Sequence, residues 1–179
     1  MSLVFIALGS NIGDGRQYLE KAWKLLGNVK GITPLTLSAP YMSKPVRKTD
    51  LHVECQDFSE QWFTNAVGAI ETNLDPQTLL EATMGIENTL GRNRELTVDR
   101  TIDLDLLYYD DLVIAEERLI LPHPEMHKRH FVLAPLADIA PDHRHPALHL
   151  SSSAMLRALP FAGRDVIYRT AWEKEVTPK

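Results

Sequence analysis

The segment 102–109 constrains the fold most sharply, because acidic and apolar residues alternate along it. Side chains two residues apart on a β-strand point to the same face of the sheet. Leu104 and Leu106 would therefore face the core, while Asp103 and Asp105 project together from the other face. Their Cα atoms would be about 6.5 Å apart, at a rise of about 3.3 Å per residue. The sequence thus predicts a strand with two paired carboxylates.

Paired carboxylates repel each other and resist burial, so they require a positive partner or water. Magnesium prefers oxygen ligands and commonly takes one or two carboxylates together with substrate phosphates. The same alternation is also typical of a half-exposed strand whose carboxylates face water. Arginine is the side chain best shaped for phosphate oxygens. Four arginines near the pair favour the phosphate-handling interpretation, and they are Arg92, Arg94, Arg100 and Arg118.

Length, charge and cysteine content limit the class of protein. The 179 residues suffice for one domain with a substantial core, so we expect a single domain over residues 1–179. The net charge of -5 argues against a nucleic-acid binder, which usually carries a basic face. The single cysteine, Cys55, suits a reducing cytoplasm. The apolar run at residues 4–8 is too short for a signal peptide or membrane span, so we expect a cytoplasmic protein without a membrane partner.

The first half of the chain alternates between strand and helix signals. The apolar run 4–8 predicts a strand that enters a glycine-rich turn. Helical spacing of apolar residues follows over 19–26, and Gly27 is the expected end of that helix. Further strands are predicted over 36–42 and 63–72, separated by a long polar surface loop over 44–61.

The second half begins with a clear helix start. Asp75 fits the N-cap position and Pro76 the first helical position, while Gly91 fits the end of that helix. A basic loop over 92–100 then leads into the carboxylate strand. We expect residues 113–121 to return as the antiparallel partner of that strand. Short helices are predicted around 126–137 and 154–159.

The order strand, helix, strand, strand, helix, strand, with a C-terminal extension, is typical of the ferredoxin-like α+β fold. In that fold an antiparallel sheet packs two helices on one face. The fold hosts nucleic-acid binders, metal-binding modules and enzymes, so it does not decide the function.

Other polar and aromatic positions have structural as well as functional interpretations. The turn 9–13 lacks the glycine spacing of a dinucleotide site and the lysine of a phosphate loop, so a plain strand-to-helix turn is equally compatible. A strand asparagine such as Asn65 is often a satisfied polar residue. Phe63 and Phe131 suit a core on composition. A solvated loop is favoured over a zinc site for His143, His145 and His149, because no thiol lies near them.

Several motifs taken together resemble one enzyme family. They are Ala7–Gly13, Phe63–Val67, Gly91–Arg94, Arg100–Leu107 and Leu121–Leu136. In this order they look like 6-hydroxymethyl-7,8-dihydropterin pyrophosphokinase. That family is known as a ferredoxin-like, usually monomeric enzyme of folate biosynthesis. It uses ATP and two magnesium ions to transfer pyrophosphate to the hydroxymethyl oxygen of a reduced pterin, and it releases AMP.

The resemblance implies a role for each matching residue. Asp103 and Asp105 would ligate both ions and act in catalysis with Arg92 and Arg94. The ATP side would comprise Glu87, Arg92, Arg100, Arg118, His123 and Arg129. On the pterin side, Asn65 would read the donor and acceptor edge, Phe63 and Phe131 would sandwich the ring, and main-chain groups near Ser43 and Val46 would complete the pocket.

Two segments depart from the family pattern. Glu95–Asp99 is shorter than the usual loop and lacks its Trp-Gly-Pro, whereas Arg47–Trp62 is longer and more acidic than usual. Two other functions compete with the family activity: a different magnesium-dependent enzyme such as a nucleotidyl transferase, and a ferredoxin-like RNA- or ligand-binding module. The module predicts exposed aromatics on a basic sheet face, where this chain carries Asp103 and Asp105.

Overall fold

The computed structural model describes residues 1–44, 62–92, 101–160 and 167–172. The predicted loops over 44–61 and 92–100 therefore lie almost entirely outside the described residues, and so do the site candidates Val46, Arg94 and Arg100. The strands are β1 (Ser2–Ser10), β2 (Ile32–Leu37), β3 (Tyr41–Ser43), β4 (Phe63–Thr72), β5 (Asp103–Tyr109), β6 (Ile114–Ala115), β7 (Ile120–Leu121) and β8 (Ile167–Arg169). The α-helices are α1 (Gly15–Asn28), α2 (Pro76–Thr89), α3 (His130–Ile139) and α4 (Ser152–Ala158).

A six-stranded sheet organises the described part of the chain. Its strand order is β5-β1-β4-β3-β8, β2 also pairs with β4, and the neighbouring strands are antiparallel. Strands β6 and β7 form a separate two-stranded hairpin. The architecture is a mixed α and β one built on an antiparallel sheet, and none of the described helices is long and apolar enough to cross a bilayer.

The sheet separates two apolar clusters because successive strand residues point to opposite faces. On one face, Ile6 and Ala66 pack in a cluster with Leu19 of α1 and Leu79 of α2. On the other face, strand residues pack with α3 and α4, and this cluster includes Phe5, Val67, Leu133 and Met155. We call these the α1 face and the α3 face. The antiparallel sheet thus leaves each face covered by its own pair of helices.

Several predicted elements are confirmed. Strand β4 spans Phe63–Thr72 as expected. Helix α2 begins after Asp75, whose Oδ1 accepts from the main-chain N–H groups of Gln77 and Thr78 at 3.1 Å each. Gly91 follows the helix with φ 88°, a conformation that glycine adopts without a steric penalty. The chain turns at Asp110, directly after β5.

Two element boundaries predicted from the sequence are wrong. Helix α1 continues past Gly27 to Asn28, and the chain turns at Gly31, where φ is 93°. The strand predicted over 36–42 is divided into β2 and β3, because Ser38 makes the contacts to Val67 through both its main chain and its hydroxyl. Strands β2 and β3 run in the same direction along β4, so the break at 38–40 only shifts the pairing register.

The segment 113–121 does not pair with β5. It forms the β6–β7 hairpin instead. The outer edge of β5 is already occupied, because the Leu104 N–H donates to Glu87 Oε1 at 2.8 Å and the Leu107 carbonyl accepts from the His123 N–H at 3.0 Å. A returning strand would have to displace both contacts.

Helix α1 rests on the sheet through Trp23, whose ring lies over Gly68 of β4. A Cβ at position 68 would lie 2.2 Å from Trp23 Cζ3, so we expect Gly68→Ala to lower the free energy of unfolding by about 1–3 kcal/mol through overpacking. Chemical denaturation measures the change. Gly85→Ala is the matched control, because nothing lies within 4 Å of a Cβ there and a helical alanine should stabilise by about 0.5–1 kcal/mol. Equal stability of the Gly68→Ala variant and the parent would contradict this packing.

Candidate active site

One row of residues crosses the sheet and connects two groups of predicted site residues. Asp103 of β5 pairs with Gly9 of β1, Gly9 pairs with Asn65 of β4, and Asn65 pairs with Tyr41 of β3. Directly paired residues of an antiparallel sheet point to the same face. We call this set the cross-strand row. It lies on the α3 face, so the carboxylate and the amide project to the same side.

Gly9 separates the carboxylate from the amide in this row. A Cβ at this position would lie 3.4 Å from Asn65 Oδ1, so a larger side chain would fill the space directly beside the amide. On sequence alone, the turn that begins here suggests at most a weak dinucleotide site or phosphate loop. The position of Gly9 between the carboxylate and the amide cannot be predicted from the sequence, because strand register is not visible there.

The carboxylate end of the row is held by an arginine. Arg92 Nη1 lies 2.5 Å from Asp103 Oδ1 and also contacts Glu87 Oε1. The side chains of Asp103 and Asp105 are 13% and 41% exposed, so only Asp105 opens widely to solvent. Arg92 thus makes a charge-assisted hydrogen bond to the more buried of the two carboxylates.

Glu87 is buried, and its role in the structure is to join elements. Its Oε1 accepts from the Leu104 main-chain N–H and from Arg92. Strand β5 is the edge of the sheet, and Leu104 donates to this carboxylate instead of a further strand. Glu87 therefore fixes both Arg92 and the strand that carries Asp103 and Asp105. A direct contact between Glu87 and ATP remains a prediction.

His123 approaches the second carboxylate from the segment after β7. Its Nε2 lies 3.9 Å from Asp105 Oδ2, and its Nδ1 accepts from the Glu125 main-chain N–H at 3.2 Å. Burial lowers the pKa of His123, and the charge of Arg129 acts in the same direction. Because Nδ1 accepts a hydrogen bond, the neutral imidazole carries its proton on Nε2. That atom is therefore a hydrogen-bond donor at the carboxylate end.

The remaining predicted arginines are placed differently. The Arg129 guanidinium lies 5.9 Å from the ring centroid of Phe131, within the range of a cation–π contact. Arg118 is exposed in the turn between β6 and β7. Arg94 and Arg100 lie outside the described residues, so their predicted contacts stay predictions.

The amide end of the row is built by β3 and β4. Asn65 is buried, and its Nδ2 donates to Ser43 Oγ at 3.0 Å. Phe63 is two residues before Asn65 on the same face, and it is only partly buried. Phe131 is also partly buried, at the beginning of α3. The family resemblance implies only main-chain groups near Ser43, so the hydroxyl that orients Asn65 is a contact that the sequence did not indicate.

The donor set at the carboxylate end suits a hard divalent cation that brings other ligands with it. Within the described ranges, no cluster of three or more His, Cys, Asp or Glu residues could hold a metal ion. Asp103 and Asp105 thus offer two carboxylates, and phosphate and water oxygens would have to complete the coordination. That combination is the usual one for magnesium.

The histidines after α3 do not form the solvated loop that we expected from the sequence. His143 packs against the rings of Phe5 and Tyr108, with centroids 4.8 and 4.5 Å apart, and His145 is buried. Burial lowers the pKa of both imidazoles, so they extend the apolar cluster of the α3 face as neutral rings. Only His149 of the three is exposed.

Comparison with known proteins gives a consistent result. The family model described as 7,8-dihydro-6-hydroxymethylpterin-pyrophosphokinase (HPPK) matches residues 5–141. A 2-amino-4-hydroxy-6-hydroxymethyldihydropteridine pyrophosphokinase of Methylorubrum extorquens is 43% identical over 143 residues, which is 79% of this chain and 85% of the relative. The protein with the same description from Bacillus subtilis is 44% identical over 139 residues, which is 77% of this chain and 78% of the relative.

Solved structures agree at the level of the fold. A crystal structure of Plasmodium falciparum HPPK-DHPS A437G with SDX-DHP superposes with a TM-score of 0.67 and 17% identity, and covers 87% of this chain. This chain spans only 45% of that longer protein. The extent of the family match and the identity to the bacterial relatives decide the classification: the chain belongs to the 7,8-dihydro-6-hydroxymethylpterin-pyrophosphokinase family.

Proposed function

We propose that the cross-strand row is the site at which the protein transfers pyrophosphate from ATP to 6-hydroxymethyl-7,8-dihydropterin. The protein is a pyrophosphokinase of folate biosynthesis, and its products are the pterin diphosphate and AMP. The observation that carries the site is the register of Asp103, Gly9 and Asn65. It puts a carboxylate suited to a metal–phosphate complex and an amide suited to a heterocycle on one face, separated by a residue without a side chain.

Asp103 and Asp105 would hold two magnesium ions on the ATP side. When bound, these ions would neutralise phosphate charge and lower the pKa of the attacking hydroxyl. The Arg92 guanidinium balances the Asp103 carboxylate. The arginine could turn to the phosphate oxygens once a cation takes its place beside the aspartate. Its contact to buried Glu87 would keep it close during that exchange.

The ATP side would consist of Glu87, Arg92, Arg100, Arg118, His123 and Arg129, and Arg94 would join Arg92 in catalysis. The Nε2–H of His123 is suited to donate to a phosphate oxygen, because Nδ1 is already an acceptor. Arginine forks suit the same oxygens. This assignment fits pyrophosphoryl transfer, which depends on positioning and charge stabilisation more than on a side-chain base.

The pterin side would use Asn65 to read the edge of the ring and Phe63 and Phe131 to stack on its faces. The hydrogen bond from Asn65 to Ser43 fixes the orientation of the amide before the substrate arrives. Val46 would complete the pocket with a main-chain group. A buried amide discriminates well, because a wrong heterocycle leaves its polar groups unpaired.

The chain as a whole would work as one domain over residues 1–179, as a cytoplasmic monomer with the ferredoxin-like fold. Participation of both β1 and β8 in the same sheet supports the single domain. The order β1, α1, β2 and β3, β4, α2, β5 and the sheet order β5-β1-β4-β3 support the ferredoxin-like arrangement. The single cysteine fits a reducing compartment.

The proposed metal ligands make a direct prediction. Asp103→Ala and Asp105→Ala should each lower the rate of AMP formation by on the order of 100- to 1,000-fold, because each removes charge that positions the triphosphate. Chromatography of reactions with ATP, Mg²⁺ and the reduced hydroxymethylpterin gives the rate. The melting temperature should change little, since Arg92 keeps its contact to Glu87.

Asp111→Ala is the control for these variants, because Asp111 is an exposed carboxylate in the turn after β5. It should retain the parent rate. Near-parent turnover in either Asp103→Ala or Asp105→Ala would refute the metal assignment. ADP as the main product of the parent protein would refute the pyrophosphoryl transfer itself.

The proposed pterin ligands make a second prediction. Asn65→Ala and Phe131→Ala should weaken pterin binding by about 1 kcal/mol or more, because they remove edge hydrogen bonds and a stacking face. ATP binding should be weakened less, in the Phe131→Ala variant only through the lost contact to Arg129. Calorimetric titration with each ligand separates the two effects, and Asn88→Ala, at an exposed position on α2, serves as the control. Equal losses for both ligands would mean that these residues support the fold only.

A further inference from the structure

The C-terminal strand β8 occupies the edge of the sheet beside the pterin pocket. It pairs with β3 in the register Tyr41↔Arg169, Met42↔Tyr168 and Ser43↔Ile167. Strand β3 is only three residues long and its other neighbour is β4. Without β8, β3 would be a short edge strand with unpaired main-chain groups. Ser43, which orients Asn65, therefore lies on a strand that is held by β4 on one side and by β8 on the other.

Further hydrogen bonds fix the chain just before β3. The Thr170 N–H donates to the Pro40 carbonyl at 2.8 Å, and its hydroxyl donates to the same oxygen at 3.1 Å. The indole N–H of Trp172 donates to the Ser38 carbonyl at 3.0 Å. The segment 167–172 thus runs alongside residues 38–43, which link the end of β2 to β3.

Side chains secure β8 on the α3 face. Arg169 Nε lies 3.1 Å from Asp138 Oδ2 of α3, and the same oxygen accepts from the Tyr41 hydroxyl at 3.0 Å. Tyr41 is buried, and burial and the contact to Asp138 raise the pKa of its phenol, so it stays a donor at neutral pH. Because Tyr41 is the register partner of Asn65, the cross-strand row continues through Tyr41 to Arg169.

A different set of contacts secures the opposite face of β8. The rings of Tyr168 and Trp62 have centroids 5.6 Å apart, and Lys44 Nζ lies 5.5 Å from the Trp62 centroid. Lys44 directly follows β3, and Trp62 directly precedes Phe63 of β4. Tyr168 therefore contacts Trp62, the neighbour in sequence of Phe63, which we propose stacks on the pterin ring.

We propose that β8 is a positioning element for pterin recognition, acting through β3 on Ser43 and Asn65 and through Trp62 on Phe63. This inference rests on the proposed function of those residues. The carboxylate strand β5 lies at the opposite edge of the sheet. Disturbing β8 should therefore weaken pterin binding selectively and leave ATP binding almost unchanged.

Two pairs of full-length variants test the proposal. Tyr168→Ala removes the ring beside Trp62, whereas Tyr168→Phe keeps the ring and removes only the hydroxyl. Thr170→Pro removes the N–H that binds the Pro40 carbonyl, whereas Thr170→Ala keeps it. Pterin is titrated by calorimetry in the presence of Mg²⁺ and a saturating non-hydrolysable ATP analogue. The analogue alone is titrated separately, and the melting temperature reports on folding.

Tyr168→Ala and Thr170→Pro should raise the Kd for pterin by about five-fold or more, the size of losing one aromatic contact. The Kd for the ATP analogue should stay within about two-fold of the parent, and Tyr168→Phe should restore parent-like pterin binding. If Thr170→Pro does not fold, Tyr168→Ala and Tyr168→Phe decide the question. An unchanged pterin Kd, or equal losses for pterin and analogue, would overturn the proposal. A parent protein that binds no pterin would instead refute the proposed function.

Discussion

The pairing of β1 with both β4 and β5 is the constraint on which the candidate site depends. It aligns Asp103, Gly9 and Asn65 across three neighbouring strands. A shift by one residue would send one of these side chains to the opposite face of the sheet. Apolar residues elsewhere on the same strands, such as Ile6 and Leu104 on the α1 face, prevent that shift, because their burial specifies the register. The packing of the core therefore also sets the geometry of the site.

Electrostatic interactions fix the side chains at the carboxylate end of the row. Buried Glu87 accepts from Arg92 and from the main chain of β5, and Arg92 contacts Asp103. A buried carboxylate is stable only with such partners. The same arginine that compensates Asp103 in the free protein is suited to a triphosphate after a cation binds. At the other end of the row, the Asn65–Ser43 hydrogen bond orients the amide in a comparable way.

Local signals in the sequence were sufficient for much of the fold. The Asp75–Pro76 start of α2 and the strand over 63–72 are confirmed, because capping chemistry and alternation act over a few residues. The prediction that 113–121 pairs with β5 is wrong, because the edge of that strand is occupied by Glu87 of α2 and by His123, which follows the hairpin. The roles of Gly9 and of β8 could not be predicted from the sequence either, because they depend on which strands pair and in which register. Register and edge pairing are tertiary properties that no local pattern reports.

A crystal structure with Mg²⁺, a non-hydrolysable ATP analogue and 6-hydroxymethylpterin would show directly what binds at each end of the cross-strand row. We expect metal density against the carboxylates of Asp103 and Asp105 and the pterin edge against Asn65. The hydroxymethyl group should point across Gly9 toward the phosphates. Metal density away from both aspartates, or a pterin bound elsewhere than on the α3 face beside Asn65, would contradict the assignment of the cross-strand row as the active site.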